Sequence, residues 1–153
     1  MNTAEGLWAR HAPDLLRLAT VLVGPNEAED VVADAFVRAC RPIVEGRVAA
    51  PRAYLFRAVT NRAMDQHRRR ARDRTRDLLL VPLSCEDSDP RVDVRAAVAG
   101  LSVRQRAAVY FRYWHDMSER QIAESMGVSV GTVRRHLVRA QSILRKELSN
   151  EGN

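Results

Sequence analysis

Several residue types and patterns are scarce in this chain, and their scarcity excludes whole classes of protein. The two cysteines, Cys40 and Cys85, lie far apart with no second ligand at metal spacing, so neither a disulfide scaffold, a zinc site nor a redox thiol pair is expected. No apolar run approaches the roughly eighteen residues that cross a bilayer. The N-terminus carries no basic segment followed by an apolar one, which would mark an export signal. We therefore expect a cytoplasmic protein.

Sequence motifs typical of enzymes are also absent. The sequence contains no nucleophile elbow, no glycine-rich phosphate loop and no paired catalytic carboxylates. The four histidines have neither metal nor catalytic spacing, and they are His11, His67, His115 and His136. We expect neither an enzyme nor a bound cofactor. An alternating strand pattern of useful length is absent too, which favours an all-α fold.

Lysine is almost absent, and the charged residues are unevenly distributed along the chain. Of the 25 basic residues 24 are arginine, and the net charge is +6. This balance favours a polyanionic partner, although an arginine-rich composition alone would also produce it. The net charge is +7 over residues 52–76, −4 over 77–94 and +5 over 95–153. Two basic segments separated by an acidic one predict two small helical domains at 1–76 and 95–153, joined by a linker at 77–94.

The first predicted domain contains apolar residues at helical spacing. They predict three helices, over residues 5–22, 27–41 and 51–76. Pro13 argues for a break or a later start in the first helix, and Pro42 for the end of the second. Residues 43–50 then form a loop, and Pro51 suits the first turn of the third helix.

The second predicted domain ends in a helix-turn-helix pattern, SERQIAESMGVSVGTVRRHLVRAQSILRKEL. Ser102 with Gln105 and Ser118 with Gln121 fit capping boxes at two helix starts. Gly127 supplies the backbone freedom that the turn needs. In the last helix an apolar stripe should be buried, comprising Val133, Leu137, Ala140, Leu144 and Leu148.

The opposite face of that last helix carries Arg134, Arg135 and Arg139. Such a face is often only solvated. In a helix-turn-helix, however, the second helix enters the DNA major groove, where arginine can bond guanine through two donors. Arg145 and Lys146 lie farther along the helix and suit phosphate contacts better.

Two further segments carry a mixed pattern. RAYLFRAVTNRAMDQHRRRARDRTR, from Arg52 to Arg76, embeds Asn61 among arginines, with Tyr54 and Phe56 available either for base stacking or for the core. NEAEDVVADAFVRAC, from Asn26 to Cys40, has an acidic strip beside an apolar stripe. That strip is either solvated or a protein-docking surface, since its charge is unsuited to DNA.

These three segments, in this order, resemble sigma factors of the sigma-70 family, of the extracytoplasmic-function (ECF) type. EAEDVVADAFVRAC resembles region 2.2, PRAYLFRAVTNRAMDQHRRRAR resembles regions 2.3 and 2.4, and the segment from Leu101 to Leu144 resembles region 4. The resemblance implies a sigma region 2 domain and a sigma region 4 domain. It also implies binding to core RNA polymerase, through the β-prime clamp helices and the β flap, recognition of −35 and −10 promoter elements, and strand opening. An anti-sigma factor is a further expected partner.

The resemblance also implies roles for single residues. Contacts to the −35 element are implied for Ser129, Thr132, Arg134, Arg135, His136 and Arg139. Contacts to the −10 element are implied for Arg57, Asn61, Arg62, Asp65, Arg68 and Arg69, with the loop 43–50 capturing a flipped-out base. Polymerase binding is implied for Glu29, Asp30, Asp34 and Arg38. Two departures stand out: Arg135 and His136 are bulkier than the pair often found there, and the loop 43–50 offers few base-reading side chains.

Two other functions fit parts of the sequence. A stand-alone helix-turn-helix regulator would bind palindromic duplex DNA without polymerase. A protein-interaction module would pair its arginines with an acidic partner and show no sequence preference. Neither accounts for all three segments.

Overall fold

The computed structural model describes residues 3–76, 97–98 and 100–150, which contain six α-helices. In chain order they are α1 (Ala4–Val23), α2 (Pro25–Val44), α3 (Pro51–Arg76), α4 (Val103–Tyr113), α5 (Glu119–Met126) and α6 (Val130–Asn150). The described residues hold no strand, so the all-α prediction is confirmed. We call α1–α3 the first lobe and α4–α6 the second lobe. The predicted linker at 77–94 lies outside the described residues.

Two prolines are accommodated where the sequence predicted interruptions. α1 begins at Ala4, capped by the Thr3 hydroxyl, and continues through Pro13 without a break. Pro13 is exposed, so water can bond the carbonyl that loses its helical donor. α2 likewise passes through Pro42 and ends at Val44, so the predicted stop at Pro42 is wrong. A proline this close to the end removes only one helical hydrogen bond, and the last turn still closes through Glu45.

The first lobe is a three-helix bundle with an aliphatic core. Each helix contributes side chains from one face, as the apolar spacing predicted. The largest fully buried side chains are Leu15, Leu18 and Leu22 of α1, Val31, Val32 and Ile43 of α2, and Leu55, Phe56 and Val59 of α3. Phe56 therefore belongs to the core, whereas Tyr54 is half-buried at its edge.

The second lobe begins two of its helices with the predicted capping boxes. The Ser102 hydroxyl accepts from Gln105 N at 3.1 Å, while Gln105 Oε1 accepts from Ser102 N at 3.0 Å. Ser118 and Gln121 exchange the same pair of bonds at 3.2 and 2.9 Å. Each box satisfies two amide groups that no helical carbonyl can reach. Gly127 ends α5 with φ of +69°, in the left-handed region that favours glycine.

The last helix, α6, buries most, but not all, of its apolar stripe. Val133, Leu137 and Ala140 are buried and Leu144 is half-buried, as predicted. Leu148 is 51% exposed, so its predicted burial is wrong. α6 has 21 residues, while α4 and α5 have 11 and 8, so its C-terminal end extends past the helices that cover it.

The two lobes pack directly on each other and share one continuous hydrophobic core. α5 lies against α3, and α4 lies against α1. At the centre the rings of Phe56 and Phe111 are 5.2 Å apart. Arg106 Nη1 donates to the Val21 carbonyl at 3.3 Å, an oxygen with no helical donor because Pro25 lacks an N–H group. A side chain of the second lobe thus supplies a hydrogen bond that the C-terminal turn of α1 lacks.

No helix in the described part of the chain is long and apolar enough to cross a membrane. The same residues contain no group of three or more histidine, cysteine or acidic side chains placed to hold a metal.

Candidate nucleic-acid and polymerase interfaces

The helix-turn-helix presents its arginines outward. α5 and α6 pack through Ile122, Met126 and Val133, all buried, and the turn at Gly127 sets the angle between the helices. With Val133 and Leu137 turned inward, the helical period puts Arg134 and Arg139 on the outer surface, where both are exposed. This exposed basic surface is what entry into a major groove requires.

Two neighbouring arginines at the start of α6 are held in different ways. Arg135 Nη2 donates to the Thr132 hydroxyl at 3.2 Å, and that hydroxyl lies 2.9 Å from the hydroxyl of Ser129. Ser129 also accepts from Thr132 N at 3.2 Å, which caps α6. Arg134 Nε instead donates to the carboxylate of Glu119 at 2.6 Å. The side chains of the N-terminal turn of α6 therefore form an ordered hydrogen-bond network.

His136 is placed differently from its neighbours. Both of its ring nitrogens are buried and have no hydrogen-bond partner among the described residues. Burial lowers the pKa of His136, and the nearby arginines, Arg104 first among them, lower it further. In this conformation neither nitrogen reaches the outer surface of α6, so His136 does not share the exposed surface of Arg134 and Arg139.

The residues assigned to the −10 element follow one side of α3. Asp65, Arg68 and Arg69 are exposed, and Arg68 lies 4.0 Å from Asp65. Asn61 is exposed beside a groove of about 410 Å³ between α2 and α3, which we call the α2–α3 groove. Its lining combines two arginines, an amide and an aromatic side chain with two alanines, and consists of Arg38, Ala39, Tyr54, Arg57, Ala58 and Asn61.

Arg57 also meets the second lobe. A Cβ atom at Gly127 would collide with the Arg57 side chain, so the absence of a side chain at that turn makes room for it. From the sequence, the turn was the only reason for a glycine at position 127. The second reason depends on a residue seventy positions away and arises only from the packing of the lobes.

The acidic strip of α2 divides into an outward part and a part that ties helices together. Glu29 and Asp30 are exposed. Asp34 accepts from Arg62 Nε at 2.7 Å and lies 3.7 Å from Arg38 Nε. The sequence assigned Asp34 to polymerase and Arg62 to DNA, but the structure pairs them across the α2–α3 contact. Both therefore also position the helices that carry the remaining candidates.

Sequence reasoning missed three groups of interacting side chains. Glu27 bonds both Gln66 and Arg70, which fastens the start of α2 to α3. Glu119 holds Arg134. Arg52, whose guanidinium lies over the Phe56 ring, reaches Asp14 at 3.4 Å and His115 at 3.2 Å. Partners this far apart in sequence leave no periodic signal, so only the fold reveals them.

The junction of the lobes has an aromatic surface that is partly open. Trp114 is 64% exposed and stacks on Tyr110 with 6.1 Å between ring centroids. Beside them an apolar groove of about 470 Å³ is lined by Leu16, Arg17, Thr20, Val21, Tyr110 and Trp114. Burial is the largest cause lowering the pKa of His115, and the adjacent Arg52 lowers it further. Burial also raises the pKa of the Tyr110 hydroxyl.

Comparison with protein families finds two matching sequence models. Residues 7–73 match the model described as Sigma-70 region 2, and residues 91–141 match the one described as Sigma-70, region 4. The first covers most of α1, all of α2 and most of α3, and the second covers α4, α5 and the first half of α6.

Curated relatives extend the match over almost the whole chain. The ECF RNA polymerase sigma factor SigL of Mycobacterium tuberculosis is 36% identical, over 97% of this chain and 90% of that protein. The RNA polymerase sigma-E factor of Streptomyces avermitilis is 34% identical, over 89% of this chain and 79% of that protein. The ECF RNA polymerase sigma factor SigE of Mycolicibacterium smegmatis is 30% identical over the full chain, which spans 64% of that protein's length.

Two solved structures share the fold. The sigma factor RpoE of Bartonella quintana, in complex with the anti-sigma factor NepR, aligns with a TM-score of 0.74 at 24% identity, covering 95% of this chain and 96% of that one. CnrH, in complex with the cytosolic domain of CnrY, aligns with a TM-score of 0.64 at 26% identity, covering 96% and 88%. Both alignments span the two lobes together.

Proposed function

Since this chain belongs to the sigma-70 family, as an RNA polymerase sigma factor of the ECF type, we propose that it directs core polymerase to promoters carrying its own −35 and −10 elements. Residues 1–76 act as region 2, residues 95–153 as region 4, and 77–94 as the linker. The chain itself catalyses nothing in this scheme, because polymerase makes the RNA. The observation that carries the proposal is the outward arginine surface of α6 over a buried Val133 and Leu137.

Recognition at −35 rests on the N-terminal half of α6. Arg134, Arg135 and Arg139 are exposed on the helix that a helix-turn-helix inserts into the major groove. Each well-placed arginine–guanine pair contributes about 1–3 kcal/mol of discrimination. Ser129 and Thr132 order the first turn of the helix, where base contacts concentrate. His136, with its nitrogens buried, acts through packing in this scheme.

Recognition at −10 rests on α3. Arg68 and Arg69 are exposed and contact the phosphate backbone, while Asn61 offers amide donors and acceptors to a base edge. The α2–α3 groove, at about 410 Å³, is larger than a nucleobase and has Tyr54 in its wall for stacking. We propose this groove, rather than the loop 43–50 to which the resemblance assigned it, as the site of an extruded base. Extruding a base costs a few kcal/mol of lost stacking, which contacts in such a groove offset. Arg57 and Asn61 line it side by side.

Polymerase docking rests on α2. Glu29 and Asp30 give this surface an exposed negative charge. The β-prime clamp helices are the proposed partner of this surface, and the β flap that of region 4. The two fold neighbours are titled as complexes with anti-sigma factors, NepR and the cytosolic domain of CnrY. An anti-sigma factor is therefore also a proposed partner of this chain.

Promoter engagement requires the lobes to separate. The two elements lie roughly 25 base pairs apart, which is about 85 Å of duplex at 3.4 Å per base pair. A compact chain of this length has a radius of gyration of about 15 Å, or roughly 40 Å across. The packed arrangement therefore cannot reach both elements at once. We place the opening movement between region 2 and region 4, at the junction formed by Phe56 and Phe111.

The deciding experiment is reconstituted transcription. Core polymerase plus this chain should start RNA at a promoter that core polymerase alone ignores. The promoter is obtained by selecting initiating sequences from a randomised pool. A chain that binds palindromic duplex but never starts RNA would be a stand-alone regulator, and the proposal would fail.

Single substitutions should separate binding of −35 DNA from binding of core polymerase. Arg134→Ala and Arg139→Ala should weaken binding of the holoenzyme to −35 duplex about tenfold or more each, with unchanged affinity for core polymerase. Fluorescence anisotropy with labelled duplex and with labelled core measures both. Loss of core affinity instead would contradict the surface assignment.

Asp30→Ala should do the reverse, lowering core affinity while leaving −35 binding of an assembled holoenzyme intact. Asp30 is a cleaner choice than Asp34, because Asp34 also holds Arg62. Glu5→Ala is the matched control, since it removes an exposed carboxylate from α1, a different helix of the first lobe. Equal core affinity of the Asp30 and Glu5 variants would remove the docking assignment.

A further inference from the structure

One acidic side chain lies among the arginines of the recognition surface. Glu119 is the first residue of α5, and its carboxylate accepts from Arg134 Nε at 2.6 Å. The two residues are fifteen positions apart and are joined only by the helix-turn-helix fold. The Glu119 side chain is 36% exposed and that of Arg134 is 66% exposed, so the pair sits at the surface that faces DNA.

The location suits a carboxylate. Ser118 and Gln121 satisfy the amides of this helix end through their own side chains, so the Glu119 carboxylate is not required as a cap. Its negative charge lies at the positive end of the α5 dipole, a favourable place for an acid. An exposed ion pair of this type adds little to stability, so a role in folding does not account for it.

The pair fixes which edge of Arg134 is available. A guanidinium has one edge formed by Nε and a terminal nitrogen, and a second edge formed by its two terminal nitrogens. Glu119 occupies Nε, and the terminal edge has no partner among the described residues. That edge has the geometry for two bonds to guanine O6 and N7. Arg135, in contrast, is tied to the uncharged hydroxyl of Thr132 and keeps its full attraction to phosphate.

We infer that Glu119 is a specificity-determining residue of −35 recognition, which positions Arg134 for a base edge and offsets its attraction to phosphate. The inference rests on the proposed function. Without Glu119, Arg134 is free to turn to the nearest backbone phosphate, which binds equally at every sequence. The carboxylate itself is repelled by phosphate, so it weakens non-specific binding more than specific binding.

The test compares binding of the holoenzyme to two duplexes. One carries the −35 sequence that the wild-type holoenzyme selects from a randomised pool, and the other carries a scrambled version. Glu119→Ala removes both charge and acceptor, and Glu119→Gln removes the charge but keeps a hydrogen-bond acceptor of the same length. Glu124→Gln is the matched control, since Glu124 is also an exposed acid of α5 and its loss changes the net charge equally.

The expected results distinguish the positioning of Arg134 by Glu119 from a general effect of the negative charge of Glu119. Glu119→Ala should lower the preference for the selected duplex about tenfold, the scale of one arginine–guanine pair. On the scrambled duplex it should bind more tightly, with the slope of log K against log salt steeper by about one unit. Glu119→Gln should show the steeper slope but keep most of the preference. In an Arg134→Ala background, Glu119→Ala should have no further effect on the preference.

Three outcomes would decide against the inference or its premise. If Glu119→Ala keeps the wild-type preference and behaves like Glu124→Gln, Glu119 is only one more surface charge. If it still lowers the preference when Arg134 is already alanine, it does not act through Arg134. A wild-type holoenzyme that selects no −35 sequence would instead refute the proposed function itself.

Discussion

Phe111 offers the sharpest test of whether the two lobes form one structural unit. Its side chain is fully buried at the junction, with its ring 5.2 Å from that of Phe56 in the other lobe. Phe111→Leu removes about three carbon atoms, worth ~2.4 kcal/mol at ~0.8 kcal/mol each. Loss of the aromatic pair adds about 0.5–1.5 kcal/mol. We expect the free energy of unfolding to fall by about 3 kcal/mol and the melting temperature by roughly 6–12 °C.

The two tryptophans make the assay direct, because one lies in each lobe. Trp8 of α1 makes an edge contact with Phe36, and Trp114 stacks on Tyr110. Two single-tryptophan proteins, made by Trp→Phe substitution, report the unfolding of each lobe by fluorescence in urea. Because the core is continuous, Phe111→Leu should lower the midpoint reported by Trp8 as well as that reported by Trp114.

One result would refute this reasoning. If Phe111→Leu lowers only the midpoint reported by Trp114, the lobes unfold independently and the junction contributes little free energy. The opening movement proposed above would then be nearly without cost. Val138→Ala is the control, since Val138 is 65% exposed on α6 and its truncation should leave both midpoints unchanged.

Two further predictions concern the second lobe. Ser118→Ala should lower the free energy of unfolding by about 0.5–2 kcal/mol, since it breaks one capping box. Ser102→Ala should lower it by a similar amount, measured by chemical denaturation. An unchanged free energy of unfolding in both variants would show that the caps do not hold in solution. Burial lowers the pKa of His115 and of His136 below 6.5, so the unfolded chain binds more protons than the folded one at acidic pH. Stability should therefore be complete above about pH 6.5 and decline as the pH falls below it. His115→Gln should flatten this decline in urea titrations across pH, and an unchanged decline would contradict the assignment.

Much of the local structure could be predicted because its causes are local. The capping boxes at Ser102 and Ser118 each depend on residues three apart, and both formed as the sequence indicated. The helix-turn-helix required only an apolar stripe, a glycine able to adopt positive φ and a capped start. The errors were local too: Pro42 lies within α2, because a proline in the final turn removes a single bond.

Contacts between distant segments could not be predicted in the same way. Asp34 and Arg62 were assigned to different partners, yet they bond each other across two helices. Glu119 was not a candidate at all until the fold brought it to Arg134. Neither pair has a recurring spacing, so no pattern in the chain distinguishes them from ordinary surface charges.

The amino-acid order by itself determined the helices, their buried faces and the family, because periodicity, caps and motifs are properties of short segments. Only the tertiary structure decided that the lobes share a core through Phe56 and Phe111, that His136 is turned inward, and that an acid restrains Arg134. The physical reason is that burial and ion pairing depend on which surfaces meet in space, and packing free energy selects those surfaces from many that the sequence alone would allow.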